Sequence, residues 1–141
     1  MHTILASAWV VGLVAALSTA APRTAAATDI DWYTSPLDLD LRGMNGERYV
    51  FHCPPGKPSA AHVTGSGPYT DASSICAAAV HAGALRAREG GDVTIVIRPG
   101  QAHYPSSERN ALRSADYEGY WSGSFDVVAS KPSSPSNEEP R

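Results

Sequence analysis

Asp71, Ser73, Ser74 and His81 are the residue types of an acid, a nucleophile and a base, and they sit close together in "YTDASSICAAAVHAG", residues 69 to 83. Side chains of this kind transfer acyl groups only when the fold brings nucleophile, base and orienting acid into hydrogen-bond contact. Their spacing works against that. On a helix His81 lies about two turns beyond Ser74, some ~10 Å along the axis at 1.5 Å per residue. His103 is a further base, but nothing in the sequence fixes where it falls. No GxSxG, HExxH, GxGxxG or phosphate-loop lysine motif occurs. The chain is therefore expected not to be an enzyme, with no catalytic residue and no cofactor. Metal chemistry has no better footing. His52 and Cys53 are adjacent, His62 and His103 stand alone, and no CxxC or paired-histidine spacing is present. The expectation is no metal site.

A different chemistry is open to the aromatic side chains. Trp32, Tyr33, Tyr104, Tyr117, Tyr120 and Trp121 include flat faces with polar tips, and Arg98, Arg109 and Arg113 lie near the tyrosines in sequence. Such groups suit wet interfaces with polyols, and the arginines suit anions. Tyr104, Tyr117, Tyr120, Arg98, Arg109 and Arg113 are the candidate ligand-binding residues. The competing role is core packing, expected of Trp121 and one tyrosine.

The whole chain limits what the ligand can be. It has 141 residues, which favours one domain, and 14 acids against 11 bases give a net charge of −3. That balance argues against a nucleic-acid binder, which carries a basic excess, and against strong attraction to anionic membranes. Residues 1–27 read as a signal peptide: "ILASAWVVGLVAAL" is apolar, and alanines at 20 and 27 offer cleavage points, with 27 preferred because Pro22 follows the first closely. The apolar run is short for a membrane anchor. After processing, no stable membrane span is expected, and the product is secreted, periplasmic or extracellular.

Export changes the meaning of Cys53 and Cys76. An even pair in an oxidising compartment reads most simply as a disulfide, with a reduced pair or a metal site as alternatives.

The elements follow from periodicity. Residues 28–40 form an entry segment in which Trp32 and Tyr33 act as a lid. "LDLDL" (37 to 41) alternates like a strand, Asn45-Gly46 signals a hairpin, and "RYVFHC" (48 to 53) is the returning strand. A helix is expected from Ser73 to Arg88, capped by Asp71 or Ser73 and stopped by Gly90 and Gly91. "DVTIVIR" (92 to 98) is the clearest strand, turned by Pro99-Gly100, and "SFDVVA" (124 to 129) is the last. Residues 130–141 are Pro/Ser-rich and charged, a tail that builds no core. On the helix, Ile75, Ala79, Ala82 and Arg86 share a face, Cys76, Val80 and Gly83 the next, and no wide polar stripe appears before the last turn. A helix of small apolar residues lets strands approach from several sides. The fold class is α+β, a central buried α-helix wrapped by short antiparallel β-strands. Ile75, Ala79, His81, Trp121 and Phe125 are assigned to its core, His81 with its ring nitrogens satisfied there.

"YTDASSICAAAVHAG", "GGDVTIVIRPGQAHY" and "SSERNALRSADYEGYWSGSF" together resemble the LCCL domain family. The resemblance runs from about Leu41 to Val128, within a domain set at 41–129, and is most specific in Ser-Ser-Ile-Cys-x-Ala-Ala-x-His and in Trp-Ser-x-Ser-Phe. It implies a central helix wrapped by sheet and a role in extracellular recognition, with lipopolysaccharide or matrix components as ligands. Many relatives carry four cysteines where this chain has two, and Lys57 stands near the place of another. Ala72 replaces a common acid. Ala111 follows Asn110 where glycine is usual, and alanine resists the positive φ such a turn would need. The expected function is a non-enzymatic recognition module for an envelope glycan or lipopolysaccharide. The alternative is a structural or protein-protein interaction module of the cell envelope or extracellular space.

Overall fold

The computed structural model describes residues 16, 26–58 and 61–128. The expected leader falls almost entirely outside the described residues, and the tail from 130 falls wholly outside them.

β-branched and aromatic residues build a five-stranded sheet. Its strands are β1 (Thr28–Asp29), β2 (Arg48–Cys53), β3 (Tyr69–Thr70), β4 (Gly91–Tyr104) and β7 (Tyr117–Val128). Their order across the sheet is β1-β2-β4-β7-β3. All neighbours are antiparallel except β1, which runs parallel to β2. Between β4 and β7 the chain makes a two-stranded ribbon of β5 (Glu108–Arg109) and β6 (Leu112–Arg113). The expectation of short strands is corrected: β4 has 14 residues and β7 has 12. Pro99-Gly100 does not turn the chain. Gly100 instead allows close strand approach, since a Cβ there would meet Trp121 O at 2.0 Å.

The hairpin expected over 37–53 is also corrected. Residues 36–40 form turns, and β2 pairs with β4 rather than with an earlier strand. Ser35 and Asp38 close one such turn: the Ser35 amide and hydroxyl both donate to Asp38, and the Asp38 amide donates back to Ser35 Oγ. Alternation without a partner edge does not make a strand.

The helix, α1, spans Ile75–His81, and all seven residues are buried. Ser74 is its N-cap, accepting from the Ala77 amide, so neither Asp71 nor Ser73 caps it. It ends well before Arg88. Gly83 takes φ 80°, its amide donates to Val80 O, and the Ala84 amide donates to Ala79 O. This pair of bonds is a Schellman stop, which glycine makes without the Cβ penalty. Arg86 is thereby removed from the helix face assigned to it, and 84–90 becomes loop.

The sheet turns Phe51, Cys53, Val93, Ile95, Ile97 and Phe125 into one core with the helix. Phe51 pairs with Val93, and Phe125 sits across from both Ile97 and Tyr69. The start of the helix is held by loops. The Ile75 amide donates to Thr34 O, the Ser74 amide to His62 O, and Ser74 Oγ to Trp32 O. Trp32 lies over Gly56 and donates from its indole to Pro54 O at 3.2 Å. Tyr33 does not share this role, being 69% exposed. A disulfide joins Cys53 at the end of β2 to Cys76 in the first helical turn, with Cα atoms 5.7 Å apart.

Candidate functional site

The catalytic-looking residues of the 69–83 stretch are each bonded elsewhere. Asp71 is 1% exposed and accepts from Arg42 Nε at 2.7 Å, Arg42 Nη2 at 2.8 Å and Trp121 Nε1 at 2.7 Å. Burial raises its carboxyl pKa, but the Arg42 and Trp121 hydrogen bonds outweigh this and leave it below the ordinary value. Ser73 Oγ meets Thr70 Oγ1 and accepts from the Thr64 amide. His81 lies between Tyr69 Oη at 2.9 Å and Ser107 O at 3.2 Å. Ser107 Oγ also lies 3.3 Å from Nε2, so both ring nitrogens have partners inside the fold. A histidine in a row of alanines thus ties the helix to β3 and to the 105–107 segment. Among the described residues, no three His, Cys, Asp or Glu side chains group as metal ligands.

The aromatic candidates separate. Tyr104 offers no ligand face: it is fully buried and its hydroxyl lies 3.2 Å from the Gln101 amide and 3.3 Å from Trp121 O. Tyr117 and Tyr120 are exposed, with Tyr117 edge-on to the half-buried Trp121 at 5.6 Å. Arg42, which the sequence did not single out, stands over the Trp121 ring at 5.7 Å. The arginines separate too. Arg98 pairs with Asp126 at 2.8 Å on the large sheet. Arg109 donates to Ser66 O at 2.9 Å, and Arg113 lies opposite Glu108 on the small ribbon. Ile75, Ala79, His81 and Phe125 are fully buried.

A concavity lies elsewhere, where the helix ends. A groove of about 820 Å³ opens between the 84–89 loop, the 57–58 segment and the turn of the small ribbon. Val80, Leu85 and Leu112 give it an apolar floor, and Lys57, Arg86 and Arg88 stand on its walls against one acid, Glu89. Arg86 reaches Glu89 at 3.8 Å, both largely exposed. Lys57 and Arg88 form no ion pair among the described residues. Asn110 and Ala111 form the lip, with φ of 51° and 60° in a two-residue turn. Asn110 Nδ2 donates to His81 O at 3.0 Å, so the lip is fixed to the helix C-terminus. Gly83 was the available signal for this groove: a helix stopped there turns "LRAR" from a helical face into a loop.

Comparison with known proteins shows the family. A family model for the LCCL domain matches residues 29–125. Vitrin of Mus musculus is 36% identical over 96 residues, 67% of this chain and 14% of that protein. Cochlin of Homo sapiens is 38% identical over 96 residues, 67% of this chain and 16% of that protein. Human cysteine-rich secretory protein LCCL domain-containing 2 is 36% identical over 95 residues, 61% of this chain and 18% of that protein. The chain spans less than a fifth of the length of these curated relatives. With the matched model reaching from β1 into β7 and the stapled helix at its centre, the chain belongs to the LCCL domain family.

Proposed function

We propose that this chain is an exported, non-enzymatic recognition module that binds an extracytoplasmic ligand such as an envelope glycan or lipopolysaccharide. The observation that carries the reading is the groove at the helix C-terminus: a cavity of ligand size with an apolar floor and cationic walls on a rigid, disulfide-stapled frame. Export is supported by the leader-like N-terminus and by the pairing of both cysteines. One relative is itself named a secretory protein. The residues that resemble a catalytic set each serve a structural bond instead.

Thermal unfolding of the full chain against envelope glycans, lipopolysaccharide and matrix polysaccharides tests the reading. A ligand that binds only the native state raises the midpoint in a saturable way. The expected outcome is such a rise with one ligand class. A well-folded protein whose midpoint moves with none of them would overturn it.

A second reading, contact with a partner protein, is favoured by the segment that carries Tyr33, Leu37, Leu39 and Met44. All four are exposed. Capture of a defined partner, lost on polar substitution at Leu39 and Met44, would support it over the first.

A further inference from the structure

We propose that the groove at the helix C-terminus selects an amphipathic anion, an acidic group attached to an apolar body, and that Lys57 and Arg88 are its charge-reading residues. The proposal rests on the recognition reading above and names the ligand chemistry of that same site. Three features point to this class. The floor of Val80, Leu85 and Leu112 offers apolar surface and no aromatic platform for a sugar ring. The walls bring three cations and one acid together on a chain whose net charge is −3. Of the three cations, Arg86 is already near Glu89 at 3.8 Å, which leaves Lys57 and Arg88 to meet an incoming anion. An ion with no apolar body would leave the floor wet. A neutral apolar molecule would leave the cations without a partner.

Position matters as much as charge. Lys57 follows Cys53 by four residues, and that cysteine is stapled to Cys76. Arg88 follows the Gly83 stop, and Leu112 follows the Asn110-Ala111 lip that is bonded to His81 O. The three walls therefore converge on one helix end that is anchored from both sides.

The test uses the full chain and titration calorimetry with four probes: dodecyl phosphate below its micellar concentration, inorganic phosphate, neutral dodecyl maltoside, and vesicles of neutral phospholipid with and without an anionic lipid. Dodecyl phosphate is expected to bind saturably and at least about tenfold more tightly than either inorganic phosphate or the maltoside. Lys57→Glu with Arg88→Glu, both at exposed positions, is expected to weaken it by about tenfold or more while leaving the unfolding midpoint in place. Competition by anionic vesicles supports the proposal with a bilayer lipid as source. Competition-free binding supports it with a soluble amphiphile as source. Equal binding of dodecyl phosphate and the maltoside, or unchanged dodecyl phosphate binding by the double variant, overturns it. If a neutral glycan raises the unfolding midpoint while dodecyl phosphate does not bind, this inference fails and the recognition reading stands. If no glycan, lipopolysaccharide or amphiphile binds, both fail.

Discussion

The Trp121 indole donates to Asp71 Oδ1 across 2.7 Å, joining residues 50 apart in sequence. Arg42 completes the arrangement, bonding Asp71 through two nitrogens and covering the Trp121 ring. Gly123 is held to glycine by this cluster, since a Cβ there would meet Asp71 Oδ2 at 2.1 Å. One buried carboxylate thus fixes the 36–42 turns, the start of the helix segment and the middle of β7. Asp71→Asn removes the charge and leaves Arg42 and the indole competing for a neutral amide. The expected loss is roughly 3 kcal/mol, at the low end for a broken buried pair because Arg42 is partly exposed. Urea unfolding of the variant measures it, and an unchanged midpoint would remove Asp71 from its place as an anchor.

The same carboxyl sets part of the acid sensitivity. Its folded pKa is lowered, so its stabilising contribution is fully present above the ordinary carboxylate value. That contribution is lost as pH falls through the lower folded value. Stability should therefore decline below about pH 4, and the decline should be shallower in Asp71→Asn. Asp31 and Asp38 keep a residual slope, because hydrogen bonds from Thr34 and Ser35 hold them low as well. Equal slopes in both proteins, from midpoints measured across the acid range, would contradict the assignment.

The Cys53–Cys76 bond closes a separation of 23 residues around the Pro/Gly loop and β3. Substituting both cysteines by alanine should cost about 3 kcal/mol through the greater freedom of the unfolded chain. Chemical denaturation of the double variant, set beside the oxidised parent, checks this. A loss near zero would mean that the loops around Trp32 and Ser74 already fix the helix.

Ala111 sits at φ 60° in the turn of the small ribbon. The left-handed conformation costs an L residue about 1–2 kcal/mol. Ala111→Gly should therefore stabilise the protein by roughly 0.5–1 kcal/mol, after allowing for the extra freedom glycine gains on unfolding. A rise in the thermal midpoint confirms the strain. A fall would show that the Ala111 methyl contributes more at the groove lip than its backbone conformation costs.

The β-branched run at 92–98, the buried alanine helix and the cysteine pair were legible because each rests on local pattern or a compartment argument. The helix end was misplaced because two glycine signals compete, and Gly83 stops the helix before Gly90 and Gly91 are reached. The groove is not legible for the same reason, since the sequence pattern puts Arg86 and Arg88 on or at the end of a helix that stops at His81. Asp71 is a residue with ordinary capping chemistry, and only the fold brings Arg42 and Trp121 to it. Tyr104 looks like Tyr117 and Tyr120 in sequence. It is buried where they are exposed, and its segment lacks the clear alternation that would tell the two faces apart. Alanine at 111 argues against a positive-φ turn, yet the small ribbon makes that turn with Ala111 at φ 60°.

The most direct measurement is amide chemical-shift mapping of the isotopically labelled full chain, titrated with whichever ligand raises its unfolding midpoint. The account predicts saturable shifts concentrated at Lys57, Leu85, Arg88 and Leu112, around the end of the helix. Shifts concentrated instead at Tyr117 and Tyr120 on β7, with the groove silent, would contradict it.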